Sequence, residues 1–144
     1  MKTKIIQYYL KDIPKPLRKR IAKKCMDDYW MINMFNGNFA EINRVQNIKV
    51  FIAMLGTTIK GFLTVHLTKM DFGNGIVNCN EFNIMIIPKW RRKGLASTLI
   101  KYAKENVSHK KTICFPQDKA GELLYKKHNL NIFNESIHKE INPL

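Results

Sequence analysis

The 144-residue chain lacks the long apolar segments that mark membrane and secreted proteins. No run of about 18 uncharged apolar residues occurs, so the sequence predicts no membrane-spanning helix. The opening residues, Met1 to Gln7, contain neither the apolar segment nor the small-residue cleavage site of a secretory signal. We therefore expect a soluble, cytoplasmic protein without a membrane partner.

Cysteine is scarce, with three residues that lie far apart in the sequence: Cys25, Cys79 and Cys114. Such spacing predicts neither a disulfide framework nor a pair of zinc ligands, and we expect all three thiols to be reduced and structural. No two of the four histidines have the His-x-x-x-His spacing that places two metal ligands on one helical face. The sequence therefore predicts no metal site.

Acidic residues are also few, since 11 Asp and Glu stand against 25 Lys and Arg, for a formal net charge of +14. This charge favours polyanionic partners, so nucleic acid, a ribonucleoprotein and CoA are all candidates. The abundance of Asn and Ile leaves open that the charge reflects a compositional bias. The length, the 45% apolar content and the lack of repeats or linkers predict a single domain over residues 1–144.

The pattern of apolar residues predicts an α/β chain with the order β-α-(α)-β-β-β-α-β-α-β. Leu17, Ile21, Cys25 and Tyr29 recur at helical spacing and predict a basic amphipathic helix. Further helices are predicted at 94–107 and 118–128. Strands are predicted at 5–10, 50–55, 59–67, 80–87, 112–115 and 131–137, with a Gly-containing hairpin turn at 56–58 and a loop at 71–75.

The most informative stretch is IMIIPKWRRKGLA at 84–96, in which a strand turns abruptly into a helix. The first turn of a helix carries unpartnered N–H groups and a partial positive charge, so it binds anions well. Gly94 has no Cβ and permits a close approach of ligand to backbone. Arg91, Arg92 and Lys93 oppose the helix dipole at this end. Together these residues predict a site for an anion such as pyrophosphate.

At this stretch the chain resembles the GNAT superfamily of N-acetyltransferases. The acetyl-CoA signature of that family is Gln/Arg-x-x-Gly-x-Gly/Ala, placed after a strand that ends in an apolar-x-Pro segment. Arg91, Gly94 and Ala96 match the signature. The match follows a predicted strand and opens a predicted helix, which is the context that the signature requires.

Two other stretches are similar to the family and extend the resemblance over residues 48–133. The sequence KGF at 60–62 lies in a hairpin of the family's style, and AGELLYKK at 120–127 looks like its Ala-x-x-Leu-Tyr helix. The chain departs from the family at Asp118, where Asn is common, and at 129–130, where Gly-Phe is common. The first departure weakens any assignment of Asp118 to CoA binding.

The resemblance implies an α/β (α+β) domain with a mixed, mostly antiparallel sheet of about six strands, flanked by helices and splayed at the acetyl-CoA site. It implies acetyl-CoA as co-substrate and transfer of its acetyl group to a primary amine by direct attack on the thioester. Backbone groups of the strand would bind the pantetheine arm, and the turn that follows would bind the pyrophosphate. The residues at these positions are Ile84, Met85 and Ile86 on the strand, and Arg91, Arg92, Lys93, Gly94, Leu95, Ala96 and Ser97 in the turn.

Acetyl transfer needs a neutral amine, a polarised thioester carbonyl and a proton for the leaving thiolate. The resemblance implies Tyr125 as the proton donor, and a backbone N–H near Ile86 is the candidate oxyanion donor. Glu81, on the strand that leads to the turn, is the candidate general base, directly or through water, and His66 on the neighbouring strand is a second candidate. Structural roles for all three side chains stay open at this stage.

The sequence does not identify the acceptor amine. By resemblance, residues 15–45 would form much of the acceptor wall, although the aromatic residues there fit a sealed core equally well. The candidate wall residues are Asp27, Asp28, Tyr29, Trp30, Met31, Met34, Phe35 and Phe39.

Three functions remain open from the sequence. The first is a transferase that acts on a protein, peptide or small-molecule amine. The second is a GNAT-fold protein that modifies a nucleic-acid base or an aminoacyl-tRNA and uses the basic helix at 18–24 to contact phosphates. The third is a non-catalytic binder of acidic partners. We expect a monomer or a homodimer.

Overall fold

The computed structural model describes residues 2–26, 28–37, 48–107, 111–116, 118–134, 136 and 138–141. Its elements follow the predicted order, with one additional strand after the last predicted one. The strands are β1 (Lys4–Tyr9), β2 (Lys49–Leu55), β3 (Thr58–Asp71), β4 (Ile76–Ile86), β5 (Thr112–Cys114), β6 (Asn131–Ile132) and β7 (Lys139–Ile141). The helices are α1 (Lys15–Lys24), α2 (Tyr29–Phe35), α3 (Leu95–Glu105) and α4 (Lys119–Lys127).

Seven strands of the described chain form one sheet, in the order β1-β2-β3-β4-β5-β6, with β7 paired to β3. Strands β1 to β4 pair antiparallel, whereas β5 and β6 join the sheet in parallel. The predicted mixed, mostly antiparallel sheet flanked by helices is confirmed. The seventh strand is β7, which pairs with residues 69–71 of β3.

The two faces of the sheet carry separate apolar cores, because side chains alternate along each strand. One core lies against α1 and α2, and the other lies against α3 and α4. On β4, Phe82, Ile84 and Ile86 pack in the α3/α4 core, as the alternation predicts, whereas Met85 packs in the α1/α2 core. Full burial of an apolar side chain contributes about 1.5–3 kcal/mol, so both faces stabilise the sheet.

Gly61 sets the distance between β3 and the last residue of β4. It pairs with Ile86 across the antiparallel ladder. A Cβ at Gly61 would lie 2.8 Å from both the Met85 carbonyl oxygen and the Ile86 Cδ1, and 3.2 Å from the Ile86 Cα. Two of these three atoms are backbone, so this close approach requires glycine.

The prediction of one helix through Tyr29 is wrong. Helix α1 ends at Lys24, Met26 has a positive φ of 57°, and α2 begins at Tyr29 with Asp28 as its N-cap. The Asp28 carboxylate accepts a hydrogen bond from the Met31 N–H, as N-cap residues do. Tyr29 lies on the surface and is 75% exposed.

Three predicted boundaries also differ from the structure. Strand β3 continues past the predicted Leu67 to Asp71, and β4 begins at Ile76 and not at Asn80, because the backbone ladder between them runs to the pair Asp71–Ile76 and β7 adds a second ladder to β3. The strand predicted at 131–137 ends at Ile132 among the described residues, and the His138 N–H donates to the Asn134 carbonyl. No helix among the described residues has the length and hydropathy of a membrane span.

Candidate functional site

Strands β4 and β5 separate after three paired residues. Asn80 to Phe82 of β4 pair with Thr112 to Cys114, where β5 ends. On its other side β4 remains paired with β3 as far as Ile86. Residues 83–86 of β4 therefore have a strand neighbour on one side only among the described elements. We call this open edge of β4 the slot.

The backbone groups of Ile84 and Ile86 face the slot. Along a strand, successive residues direct their N–H and C=O groups to opposite neighbours. The Asn80 N–H donates to the Lys111 carbonyl, toward β5, and the Ile87 N–H donates to the Lys60 carbonyl, toward β3. Even-numbered residues of β4 thus face β5 and the slot. The backbone groups of Met85 face β3, where its carbonyl lies against Gly61. A ligand in the slot would therefore meet backbone groups of Ile84 and Ile86 and not those of Met85.

A tight turn leads from the slot into α3. The 3-10 turn Pro88–Trp90 ends at Arg91, whose Nε donates to the Ile86 carbonyl at 2.9 Å. Arg92 and Gly94 have positive φ values of 61° and 77°, and Gly94 is the N-cap of α3. The left-handed backbone at Arg92 is uncommon for a residue with a Cβ, and such strain clusters at ligand sites.

The start of α3 presents free backbone donors. The first backbone hydrogen bond of the helix runs from the Thr98 N–H to the Gly94 carbonyl at 3.1 Å. The N–H groups of Leu95, Ala96 and Ser97 therefore precede the helical ladder. A Cβ built on Gly94 would meet nothing within 4 Å, which shows open space above the turn. We call residues 92–97 the cradle.

Basic side chains surround one aromatic ring beside the cradle. The ammonium groups of Lys60, Lys89 and Lys93 lie 4.5, 5.2 and 5.4 Å from the centre of the Trp90 ring. Arg91 and Arg92 are exposed next to this cluster. Cation–π contact with the ring stabilises each ammonium group but does not neutralise it. The outer end of the slot is therefore strongly positive, which suits a polyanion.

Tyr125 lies on the α3/α4 face near the inner end of the slot. It is buried in α4 and packs in the same core as Phe82, Cys114 and the partly buried Ile84 and Ile86. Burial, followed by the nearby Cys114 and Asp118, raises the pKa of Tyr125 well above its ordinary value. The phenol therefore stays protonated at neutral pH and can act as a hydrogen-bond donor.

Glu81 lies on the opposite, α1/α2 face and forms a buried pair with His66. The two residues face each other across β3 and β4, and the distance from His66 Nε2 to Glu81 Oε2 is 3.0 Å. Asn83 Nδ2 donates to the same carboxylate oxygen at 3.1 Å. Burial acts to raise the pKa of Glu81, but the hydrogen bonds and charge supplied by His66 and Asn83 outweigh it and lower this pKa.

The chain matches known proteins in structure but not in sequence. No protein-family model matches the chain, and no curated protein matches it in sequence. Among solved structures, an aminoglycoside acetyltransferase from an uncultured soil metagenomic sample superposes with a TM-score of 0.66 at 16% identity, over 100% of this chain and 99% of that one. A predicted acetyltransferase with acetyl-CoA from Clostridium acetobutylicum gives 0.56 at 22% identity, over 93% of both chains.

An acetyltransferase of the GNAT family from Streptococcus pneumoniae gives a TM-score of 0.54 at 17% identity, over 88% of this chain and 83% of that one. The chain has the GNAT acetyltransferase fold. Within this GNAT fold, the signature residues Arg91, Gly94 and Ala96 all lie in the turn and first helical residues after β4. The sequence resemblance and the fold therefore agree on the same segment.

The GNAT fold brings most of the predicted site residues together. Ile84 and Ile86 line the slot, and Arg92 to Ser97 form the cradle. Of the predicted acceptor wall, Met31, Met34 and Phe35 are buried in the α1/α2 core, whereas the half-buried Trp30 contacts the His66 ring at 5.7 Å between centroids. Asp27 and Phe39 lie outside the described residues.

Several contacts of the site were not predicted from the sequence. Ser97 Oγ lies 2.9 Å from His128 Nε2, which links the cradle to the end of α4. Burial, followed by the charge of Lys127, lowers the pKa of His128. The Trp90 cluster and the role of Asn83 were also missed, because these residues meet only after the hairpins and helices have packed. No group of three or more potential metal ligands occurs among the described residues.

Proposed function

We propose that this protein is an acetyl-CoA-dependent N-acetyltransferase that transfers an acetyl group to a primary amine. The observation that carries the proposal is the slot, an edge of β4 that has no strand neighbour among the described elements and that continues directly into a basic cradle. The fold adds support, since its solved neighbours include an acetyltransferase with acetyl-CoA and an aminoglycoside acetyltransferase. Because one of those neighbours is an aminoglycoside acetyltransferase, aminoglycosides are reasonable first acceptors to test.

The residues of the site fit the parts of acetyl-CoA. The backbone groups of Ile84 and the N–H of Ile86 would bind the pantetheine amides in the way that an added strand does, whereas the Ile86 carbonyl already accepts from Arg91 Nε. The amides of Leu95, Ala96 and Ser97 would bind the pyrophosphate, since they are free and lie at the positive end of the α3 dipole. Arg92 and Lys93, together with Arg91 and the Trp90 cluster, would supply the positive potential that this anion requires.

The chemistry would proceed with the two proton-transfer groups on opposite faces of the sheet. Glu81 and His66 lie on the α1/α2 face, and Tyr125 lies on the α3/α4 face, all near Phe82 at the inner end of the slot. An amine that arrives from the α1/α2 face would be deprotonated there, while the leaving thiolate would receive a hydrogen bond from Tyr125. Bound acetyl-CoA would supply the activated acyl group. The candidate oxyanion donor near Ile86 is then the slot-facing N–H of Ile84, because Ile86 itself lies at the outer end of the slot beside the cradle.

The need for a base depends on the acceptor. Deprotonation at pH 7 costs about 4.6 kcal/mol for a lysine amine of pKa about 10.4 but only about 1.4 kcal/mol for an α-amine of pKa about 8. A buried carboxylate–imidazole pair is therefore of most use for an alkylamine. This reasoning favours an acceptor with a strongly basic primary amine over a terminal α-amine.

The test is thermal stabilisation by acetyl-CoA in three proteins: wild type, Gly94→Asp and Gly94→Ala. Both variants add a Cβ at the same left-handed φ, and neither Cβ meets another atom within 4 Å. Only the aspartate variant would place a carboxylate where the pyrophosphate binds. At a concentration of about 100 times Kd, the ligand should stabilise the wild type by about 2.7 kcal/mol. For a chain of this size that is roughly 5–10 °C in Tm.

We expect Gly94→Ala to retain most of the Tm increase and Gly94→Asp to lose it. If wild type shows no increase with millimolar acetyl-CoA, the proposed co-substrate is wrong. If both variants retain the increase, acetyl-CoA binds somewhere other than the cradle. Mass spectrometry of amines incubated with acetyl-CoA and the wild type then tests transfer itself.

A second candidate, a nucleic-acid-modifying transferase, is favoured by α1. Six of its ten residues are basic, and no acidic residue occurs in its first turn. Such a helix suits contacts to phosphates, and binding to RNA should then weaken steeply as salt is raised. Acetyl transfer that requires RNA would support this candidate, whereas RNA binding without any transfer would support the non-catalytic polyanion binder.

A further inference from the structure

The pair formed by His66 and Glu81 is more specific than either residue alone. Only 3% of His66 and 9% of Glu81 is exposed, and no lysine or arginine pairs with Glu81 among the described residues. The pair lies at the inner end of the slot, because Glu81 immediately precedes Phe82, the last β4 residue that pairs with β5. A buried carboxylate at this position therefore depends on the imidazole and on Asn83 for its hydrogen bonds.

The contact with Glu81 determines which nitrogen of His66 carries the proton. An ionised carboxylate only accepts hydrogen bonds, so Nε2, at 3.0 Å from it, carries the hydrogen. In the neutral ring Nδ1 is then a lone-pair acceptor. Among the described residues Nδ1 has no hydrogen-bond partner, although it is fully buried. A buried acceptor without a partner costs about 1–3 kcal/mol, and a donor from a substrate would remove this cost.

Glu81 itself is poorly suited to take a proton. Its Oε2 already accepts from both His66 and Asn83, and these contacts favour the ionised form. The other groups around the pair do not compete for the proton. Trp30 of α2 carries no charge, and burial, followed by the charge of Glu81, raises the pKa of Cys114 to about 12, so the thiol stays protonated.

We infer that Nδ1 of His66 is the base that deprotonates the acceptor ammonium group, and that Glu81 is a positioning residue that fixes the imidazole tautomer. The inference rests on the proposed function and deepens it. It reverses the sequence-based order of the two candidates, in which Glu81 came first. The arrangement uses the same logic as the carboxylate–imidazole part of a catalytic triad.

The proton balance of the step is complete. The ammonium group gives one proton to Nδ1, which leaves a neutral amine and an imidazolium ion paired with the Glu81 carboxylate. The amine lone pair attacks the thioester carbonyl carbon, and the C–S bond then breaks. The amide nitrogen loses its second proton as the thiolate becomes a thiol, and the imidazolium releases its proton to solvent. The products are an N-acetyl amine, CoA and one free proton.

The experiment compares His66→Gln with wild type on two kinds of nucleophile. The side-chain amide of this variant can still donate to Glu81 but has no atom at the Nδ1 position, so the variant separates the base from the buried pair. The first kind of nucleophile is a primary alkylamine, taken as the best substrate among an aminoglycoside, lysine amide and butylamine. The second is hydroxylamine, which is largely neutral at pH 7 and needs no base. Acetylated products are measured by mass spectrometry.

We expect His66→Gln to lower kcat/KM for the alkylamine by about 100-fold or more, which is the usual contribution of a general base. The rate with hydroxylamine and the stabilisation by acetyl-CoA should stay close to wild type. The pH profile of kcat/KM for the alkylamine in His66→Gln should follow the ionisation of the amine alone. In Glu81→Met, which leaves no acceptor for Nε2–H, nitrogen NMR of the ring should show loss of the Nε2–H tautomer that wild type contains.

Each other result counts against the inference. Equal losses for the alkylamine and hydroxylamine would indicate that His66 is structural, and an unchanged alkylamine rate would show that it is not the base. A wild-type His66 in the Nδ1–H tautomer would overturn the assignment without any activity measurement. If wild type binds acetyl-CoA but acetylates none of the amines or hydroxylamine, the proposed function fails, and the inference fails with it.

Discussion

Gly61 provides a quantitative test of how β3 positions the slot. In Gly61→Ala the new Cβ would lie 2.8 Å from the Met85 carbonyl oxygen and 3.2 Å from the Ile86 Cα, and neither backbone atom can rotate away. Ordinary contacts begin near 3.4 Å, so the end of β4 must move by about half an ångström. Overpacking of this kind costs about 1–3 kcal/mol. The lower entropy of the unfolded chain offsets about 0.4–1 kcal/mol of it.

We therefore expect Gly61→Ala to lose about 1–2 kcal/mol of stability, or roughly 3–6 °C in Tm. The stabilisation by acetyl-CoA should also fall, because the displaced residues carry the backbone groups that face the slot. Thermal denaturation with and without acetyl-CoA measures both effects. Gly121→Ala is the matched control, since its Cβ meets mainly the Asp118 side chain at 3.2 Å inside α4. A Gly61→Ala protein that matches wild type in both measurements would refute the reasoning.

Three further predictions concern single side chains. Tyr125→Phe should keep the core and the stabilisation by acetyl-CoA but lower kcat by about 100-fold, and an unchanged kcat would exclude it as the proton donor. Asp118→Ala should lower stability by about 0.5–2 kcal/mol in denaturant unfolding, because the carboxylate accepts from the Gly121 N–H at 2.7 Å, whereas Asp118→Asn should keep most of it. The pKa of Glu81 is lowered from 4.5, so its contribution to stability is complete above about pH 4.5 and is lost as the pH falls through the lowered value. In Glu81→Gln the free energy of unfolding should fall less steeply as the pH is lowered through this range. The same pH dependence in wild type and variant would contradict the buried pair.

The sequence predicts the layers of the fold well, because apolar residues that alternate along a strand or recur at helical spacing do share one face in the structure. Phe82, Ile84 and Ile86 share one face, as their spacing requires, and Gly94 opens α3 where the signature places it. The failure at Tyr29 has a local cause, since periodicity continues across a break that the backbone makes at Met26. The end of β3 at 68–71 and the start of β4 at 76–79 were missed because these residues pair through backbone groups while their mixed polar and apolar side chains give no clear alternation.

The buried pair of His66 and Glu81 illustrates a different limit of the sequence. Glu81 was selected from its place on the strand before the cradle, but its partner depends on the register of β3 and β4. A slip of one residue would turn every side chain of one strand to the other face, so no sequence pattern could join Glu81 to His66. The contact between Ser97 and His128 joins residues 31 apart and likewise follows from packing.

The distribution of charge explains how a protein with a net charge of +14 could serve a cationic acceptor. At the outer end of the slot, Lys60, Lys89 and Lys93 surround Trp90, and no carboxylate forms an ion pair with them among the described residues. At the inner end, the buried carboxylate of Glu81 is held ionised. On the proposed function, the polyanionic end of acetyl-CoA and the ammonium group of the acceptor would each meet the opposite charge. The separation of these charges along β4 would then orient both substrates before any bond changes.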